Sequence, residues 1–241
     1  MDKTNFQHAL SINVKRFWGA AKAALACAIL AFATVGCLDI EEEITLNADG
    51  SGKYQMAIDF SQMTAMIKSL SEGELDGEDS NPMIQAMDST MEAESEKLRN
   101  MEGISNIAYR IVDEKTYMSY EFASIDALNN AMAKSQEEQG GGEAFEPIYQ
   151  WKSGKLERKS LTPAGMGNLT DGEDEEGALA MMEMMFSDSK YKVTYHLPGK
   201  VKKTNGDGEV EVAGQTVVQE FGLMDLLKEE TEAGISIKYK K

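Results

Sequence analysis

Apolar and polar residues alternate on both sides of a turn four times in this chain, in residues 38–60, 104–123, 149–158 and 209–218. A period of two places neighbouring side chains on opposite faces of a strand, so each stretch predicts an antiparallel β-hairpin. In the first, the turn runs from Asn47 to Gly52, and its glycines supply the backbone angles that a tight turn needs. Residues 191–197 and 235–239 predict single strands. This pattern limits the chain to folds built largely on antiparallel strands.

Four stretches between the hairpins carry apolar residues at helical spacing, in residues 63–70, 81–103, 124–132 and 179–186. The second is the best bounded. Asn81 can cap the helix, Pro82 suits its first turn, and Gly103 ends it. Strands and amphipathic helices together predict an α+β fold, in which antiparallel β-hairpins form a sheet covered by a few amphipathic helices.

The first 36 residues have a different character. Four basic residues precede an uncharged, apolar run in residues 23–36. This layout is typical of a signal peptide, and a run of about fourteen residues is too short for a permanent transmembrane helix. We predict a lipoprotein signal peptide over residues 1–36 and a single extracytoplasmic α+β domain over residues 37–241.

Cys37 follows the apolar run directly and is succeeded by acidic residues, so the junction resembles a lipobox. Thr34 stands where that pattern usually has an aliphatic residue. Cys27 is a rival, but cleavage there would leave only about four apolar residues after Lys22, fewer than a signal peptide uses. Lipidation of Cys37 explains a lone cysteine in an oxidising compartment. The alternative is an ordinary signal peptide or an uncleaved anchor, with Cys37 as a thiol.

A lipid anchor also predicts where the protein resides. One acyl chain anchors only marginally, whereas the several chains of a bacterial lipoprotein attach stably. Leu38 follows the cysteine in place of the aspartate that retains many lipoproteins in an inner membrane. We therefore expect a cell-envelope protein attached to the membrane through its N-terminal lipid, in the outer membrane.

The charge of the chain is strongly acidic. The formal net charge is −17, and the predicted signal peptide contributes +3, so the remainder carries −20. A protein surface with this negative charge repels the phosphates of nucleic acids and of anionic lipids. Nucleic acid is therefore excluded as a partner, and electrostatic docking is excluded as the means of membrane attachment. Much of the acidity is expected in loops near residues 71–80, 136–146 and 162–177.

Catalytic motifs are scarce in this sequence. His196 is the only histidine after residue 36, which argues against serine or cysteine triads and multi-histidine metal sites. No phosphate loop, dinucleotide glycine pattern or nucleophile elbow occurs. Paired carboxylates could hydrolyse a glycoside, but no pair stands out. We predict no enzymatic activity, no cofactor and a structural role for His196.

Methionine is abundant, with 16 residues in the chain. Those at helical spacing could fill a core, line a groove for a lipid or hydrophobic peptide, or bind copper(I) through their thioethers. Packing is the first expectation, the hydrophobic groove the second and copper the third. The residues predicted to line such a groove are Met83, Met87, Met91, Met182, Met185 and Phe186.

Residues 43–54, just after the cysteine, and residues 191–201 with Thr204 and Asn205 resemble LppM-like bacterial lipoproteins. In that family an acylated cysteine precedes an α/β domain that begins with a glycine-turned hairpin, and a late strand ends in Pro-Gly, here Pro198 and Gly199. The resemblance implies an envelope domain with lipid-handling character and supplies no catalytic residues. We expect a non-enzymatic binding or structural module whose partner is a hydrophobic ligand or an envelope protein.

Overall fold

A computed structural model of the chain describes residues 38–70, 82–137, 147–159, 183, 186–228, 231 and 233–240. The predicted signal peptide, Cys37 and most of the three predicted acidic loops lie outside these residues. The described strands are β1 (Asp39–Leu46), β2 (Gly52–Asp59), β3 (Ile104–Val112), β4 (Lys115–Phe122), β5 (Tyr149–Lys152), β6 (Lys155–Arg158), β7 (Lys190–His196), β8 (Val201–Gly206), β9 (Glu209–Ala213), β10 (Thr216–Gly222) and β11 (Ile235–Tyr239).

All four predicted hairpins are confirmed. β1 pairs with β2, β3 with β4, β5 with β6 and β9 with β10, each antiparallel. In the first turn, Asp49 Oδ1 accepts hydrogen bonds from the backbone N–H and hydroxyl of Ser51, at 3.0 and 2.7 Å. These bonds explain why a chain carrying Asp-Gly-Ser-Gly reverses here.

The strands form two sheets where the sequence predicted one. A seven-stranded sheet has the order β3-β4-β2-β1-β7-β10-β9, and a four-stranded sheet has the order β5-β6-β11-β8. The chain passes from the small sheet to the large sheet between β8 and β9. A turn with Gly208 at φ +75° joins them, yet β8 pairs with β11 while β9 pairs with β10. Each sheet has one apolar face, and packing the two sheets against each other buries both apolar faces.

One pairing departs from the antiparallel pattern. β1 and β7 are parallel, with Ile40 opposite Tyr191 and Ile44 opposite Tyr195. Both strands bury every second residue. In this register, the buried residues of the two strands lie side by side on the same face of the sheet. As a result, β1 lies inside the large sheet, between β2 and β7.

Four helices lie within the described residues: α1 (Ser61–Leu70), α2 (Pro82–Arg99), α3 (Ile125–Glu137) and α4 (Leu223–Leu227). The first three confirm predicted helices. Ser124 caps α3, its hydroxyl accepting the N–H of Ala127 at 3.1 Å. Neither α4 nor β8 was predicted. The five residues of α4 are too few to show a helical period, and β8, Val-Lys-Lys-Thr-Asn-Gly, has no apolar–polar alternation. The fourth predicted helix, in residues 179–186, lies mostly outside the described part. The protein is thus α+β but mostly β.

Both sheets and the helices contribute to one core cluster. Leu128 from α3, Leu156 from β6, Val193 from β7 and Val217 from β10 are all fully buried in it. The first turn of the large sheet also meets the small sheet, because a Cβ on Gly50 would lie 2.8 Å from the ring of Trp151. That close approach requires glycine at position 50.

Candidate functional site

Two of the six residues predicted to line a hydrophobic groove have described side chains. Met91 in α2 is half-buried and packs against the core, and Phe186 is a buried core residue. Met83 and Met87 belong to α2 by their backbone, but their side chains, like the whole of Met182 and Met185, lie outside the described residues. The groove and the copper alternative therefore remain predictions.

The other described methionines lie in or against the core. Met63, Met118 and Met224 are buried, and a further set is partly buried against the same cluster, namely Met56, Met101 and Met132. Methionine packs well in irregular apolar spaces because its side chain is flexible. Core packing, the first expectation for the methionines, accounts for these six.

The described chain starts in the core. Leu38 is only 4% exposed, and its backbone N–H donates to the Ser189 hydroxyl at 2.9 Å. β1 begins at the next residue, where Asp39 Oδ1 accepts the N–H of Lys190 at 3.0 Å. Residues 38 and 39 are thus held by contacts to the far part of the sequence, next to the predicted lipidation site.

Burial raises the pKa of the Asp39 carboxyl above its ordinary value, against the lowering effect of the Lys190 N–H. An acid whose pKa is raised by folding binds its proton more tightly in the folded state, so ionised Asp39 costs stability at neutral pH. We expect Asp39→Asn, whose amide oxygen still accepts the Lys190 N–H, to raise Tm at pH 7. The gain should vanish near about pH 3, where the native carboxyl is itself largely protonated.

Asp49→Asn is the matched control for that measurement. The hydroxyl and N–H of Ser51 lower the pKa of Asp49, so its ionised form favours the folded state. This stability is present at neutral pH and is lost as pH falls through the folded pKa. The control should therefore lower Tm at pH 7, and equal shifts in both variants would contradict the two opposite pKa directions.

A buried polar cluster joins the two sheets. The side chain of Arg158, at the end of β6, is 0% exposed, and its Nη2 lies 3.2 Å from Oε2 of Glu42 in β1. Nη2 also donates to the Tyr191 hydroxyl at 2.5 Å, and Nη1 to the Tyr195 hydroxyl at 3.4 Å. The guanidinium carbon lies 5.8 Å from the centre of the Tyr149 ring. We call these five residues the intersheet cluster.

Four of the five members of the intersheet cluster keep one protonation state near neutral pH. Burial raises the pKa of Tyr149, Tyr191 and Tyr195, so the three phenols stay neutral, and arginine stays protonated in proteins. Three of its buried atoms have no partner in hydrogen-bonding geometry. They are Tyr149 OH, Arg158 Nε and Glu42 Oε2, the last of which meets Arg158 Nη2 as an ion pair only. Every member is buried, and the cluster brings side chains of both sheets into contact.

Sequence reasoning missed this cluster, although a signal was present. In Lys155-Leu-Glu-Arg158, the alternation places Arg158 on the same face as Leu156, which is the core face. The same rule places Glu42 on the face of Ile40 and Ile44. A charged residue at a core-facing position of a strand indicates a buried partner of opposite charge.

The outer face of the large sheet carries a polar depression of about 530 Å³. Glu43 is one of its lining residues; its Oε2 accepts the Gln55 amide at 3.0 Å, and its Oε1 lies 2.9 Å from His196 Nε2. At its side, the Arg110 guanidinium lies 4.6 Å from the centre of the Tyr117 ring. Its lining mixes charged side chains such as Lys53 and Lys192 with apolar ones such as Met56 and Met118. His196 is half-exposed and also contacts the Thr216 hydroxyl.

Within the described residues, no group of three or more His, Cys, Asp or Glu side chains is arranged to hold a metal ion. Over the same residues, no helix is both long and apolar enough to cross a membrane.

Comparison with known proteins gives one similar structure. No family model and no curated protein matches the chain. The NMR structure of the folded domain of LppM from Mycobacterium tuberculosis is similar over 86% of this chain and 93% of that domain, with 14% identity and a TM-score of 0.39. The predicted likeness to LppM is thus found in a solved structure. At this level of similarity, function has to be argued from the chain's own residues.

Proposed function

We propose that the protein is a cell-envelope lipoprotein, anchored by acyl chains on Cys37 and acting as a non-enzymatic binding or structural module. The observation that carries this proposal is the junction at residues 36–38. An apolar leader ends in a small residue and a cysteine, and the next residue, Leu38, already belongs to the folded core. Cleavage before Cys37 releases the whole described domain and loses none of its strands.

The described residues favour a module over an enzyme. The most deeply buried charged group, Arg158, serves the contact between the sheets and is enclosed away from any substrate. Glu43, one carboxylate that lines the polar depression, pairs with His196, the only histidine after residue 36. A hydrophobic ligand would occupy the groove predicted from Met83, Met87, Met91, Met182, Met185 and Phe186, of which Met91 and Phe186 pack in or against the core. Leu38 in place of aspartate supports outer-membrane placement, which membrane fractionation tests.

The experiment that tests the anchor is the intact mass of the membrane-extracted protein. We expect the mass of a chain starting at Cys37 plus two or three acyl chains. Cys37→Ala should lose this modification and its membrane retention, since several chains together provide stable attachment. Cys27→Ala is the matched control and should leave the mature mass unchanged. An unmodified mass, or cleavage elsewhere, would remove the lipoprotein proposal.

A further inference from the structure

No flexible linker separates the proposed lipidation site, Cys37, from the folded domain. Leu38 is buried, its N–H is bonded to Ser189, and β1 starts at Asp39. Consecutive Cα atoms are about 3.8 Å apart, so residue 37 is one peptide unit from a fixed point of the fold. A flexible linker would let the domain turn freely, whereas a single peptide unit holds one part of the domain close to the lipid.

The part of the domain that is held close to the lipid is one end of the large sheet. β1 begins there, and the strand ends beside it follow from the pairing: Asp59 lies opposite Asp39, Lys115 opposite Asp59, and Gly222 opposite Lys190. The β3–β4 turn, after Val112, lies at the same end. We call this the anchor-facing end. Strands rise about 3.3 Å per residue, so the Asn47–Ser51 turn lies about 25 Å away, beyond the eight residues of β1.

We propose that the lipidated domain stands on the bilayer with its anchor-facing end against the lipid headgroups and the Asn47–Ser51 turn directed away. The proposal rests on lipidation of Cys37 and adds an orientation to it. The outer face of the large sheet, with its polar depression, then stands upright beside the membrane and is open to the surrounding compartment.

Ion pairs neutralise some of the carboxylates at the anchor-facing end, where Asp113 and Asp188 add exposed carboxylates. In a chain as acidic as this one, the carboxylates near the bilayer would repel anionic headgroups unless neutralised. Here Lys115 Nζ lies 2.6 Å from Asp59 and Lys190 Nζ lies 2.5 Å from Glu220. A third pair joins Lys228, just after α4, to Glu183. Val112, one of two large apolar side chains exposed in the described part, also lies at this end.

Position-specific quenching in vesicles tests the orientation. Cys37 is the only cysteine after residue 36 and is consumed by the lipid, so introduced cysteines can be labelled singly. We would label Asp188→Cys and Val112→Cys at the anchor-facing end and Ala48→Cys in the distant turn, all at exposed positions. The acylated proteins are placed in phosphatidylcholine vesicles that contain a lipid with a nitroxide-labelled headgroup.

We expect quenching at positions 188 and 112 to exceed that at position 48 several-fold. Equal quenching at the three positions, or the strongest at position 48, would overturn the orientation. The intact mass of each labelled protein separates the two proposals. A protein without acyl chains contradicts the lipid anchor, whereas an acylated protein with uniform quenching contradicts the orientation alone.

A linker variant supplies the matched control. Inserting about twelve Gly and Ser residues between Cys37 and Leu38 adds roughly 20 Å of flexible reach while leaving the fold and the acylated cysteine in place. The difference in quenching between positions 188 and 48 should largely disappear. If the difference persists, the short connection is not what orients the domain, and the inference fails.

Discussion

Replacing Glu42 with alanine is expected to lower the free energy of unfolding by about 3–5 kcal/mol, because the fully buried Arg158 loses its only carboxylate partner among the described contacts. An uncompensated charge in the core costs more than the methylene groups that the substitution removes. Urea unfolding followed by the fluorescence of Trp151 measures the effect. Trp151 is the only tryptophan after residue 36, and its indole N–H donates to the Tyr239 hydroxyl at 2.7 Å.

Glu41→Ala is the matched control, since Glu41 is the preceding residue of the same strand and points to the opposite face. It is exposed and pairs with Lys192 across β1 and β7, and an exposed ion pair is worth about 1 kcal/mol or less. A second control is the double variant Glu42→Leu/Arg158→Met, which removes both charges and should recover most of the loss. Equal effects of Glu41→Ala and Glu42→Ala would show that the buried pair does not hold the sheets together.

Gly52→Ala is expected to destabilise the protein by about 3 kcal/mol or more, because the added methyl group has no space. Its Cβ would lie 2.0 Å from the carbonyl oxygen of Thr45 and 2.5 Å from the ring of Phe122. The first of these atoms is backbone of the paired strand, so relief requires β1 and β2 to separate. The midpoint of urea unfolding measures the loss.

Gly214→Ala controls for the loss of glycine itself. Gly214 lies in the β9–β10 turn with φ +67°, and a Cβ there meets nothing within 4 Å. The expected cost is therefore only the backbone strain of about 1 kcal/mol. If both variants lose equal stability, the close approach at Gly52 does not limit the packing of the sheet.

The local elements of this fold could be predicted from the sequence, whereas the partners of its strand edges could not. The turn residues between β9 and β10 join two alternating runs, so that hairpin is specified within the fourteen residues from Glu209 to Gly222. The parallel pairing of β1 with β7 brings together residues 151 positions apart, such as Asp39 and Lys190. Alternation identifies which face of each strand is buried but does not specify which strand lies beside it.

The candidate functional residues also include some that the sequence predicts and some that it does not. The lipidation motif is a run of consecutive residues, so sequence alone suffices to propose Cys37. The intersheet cluster draws on β1, β5, β6 and β7, and its existence depends on two sheets stacking where one was expected. Even so, Arg158 and Glu42 each stand at a core-facing position of their strands, which already marked them as a pair to look for.

The place of β1 between β2 and β7 also determines when the domain can complete its fold. Chains are synthesised from the N-terminus, so β1 and β2 are available long before β7, and the ladder of hydrogen bonds on the second edge of β1 waits for residues 190–196. Contacts so distant in sequence slow folding. During that interval β1 presents an unpaired edge, which is a template for aggregation. A holdase that binds the incomplete chain would therefore raise the yield of folded protein.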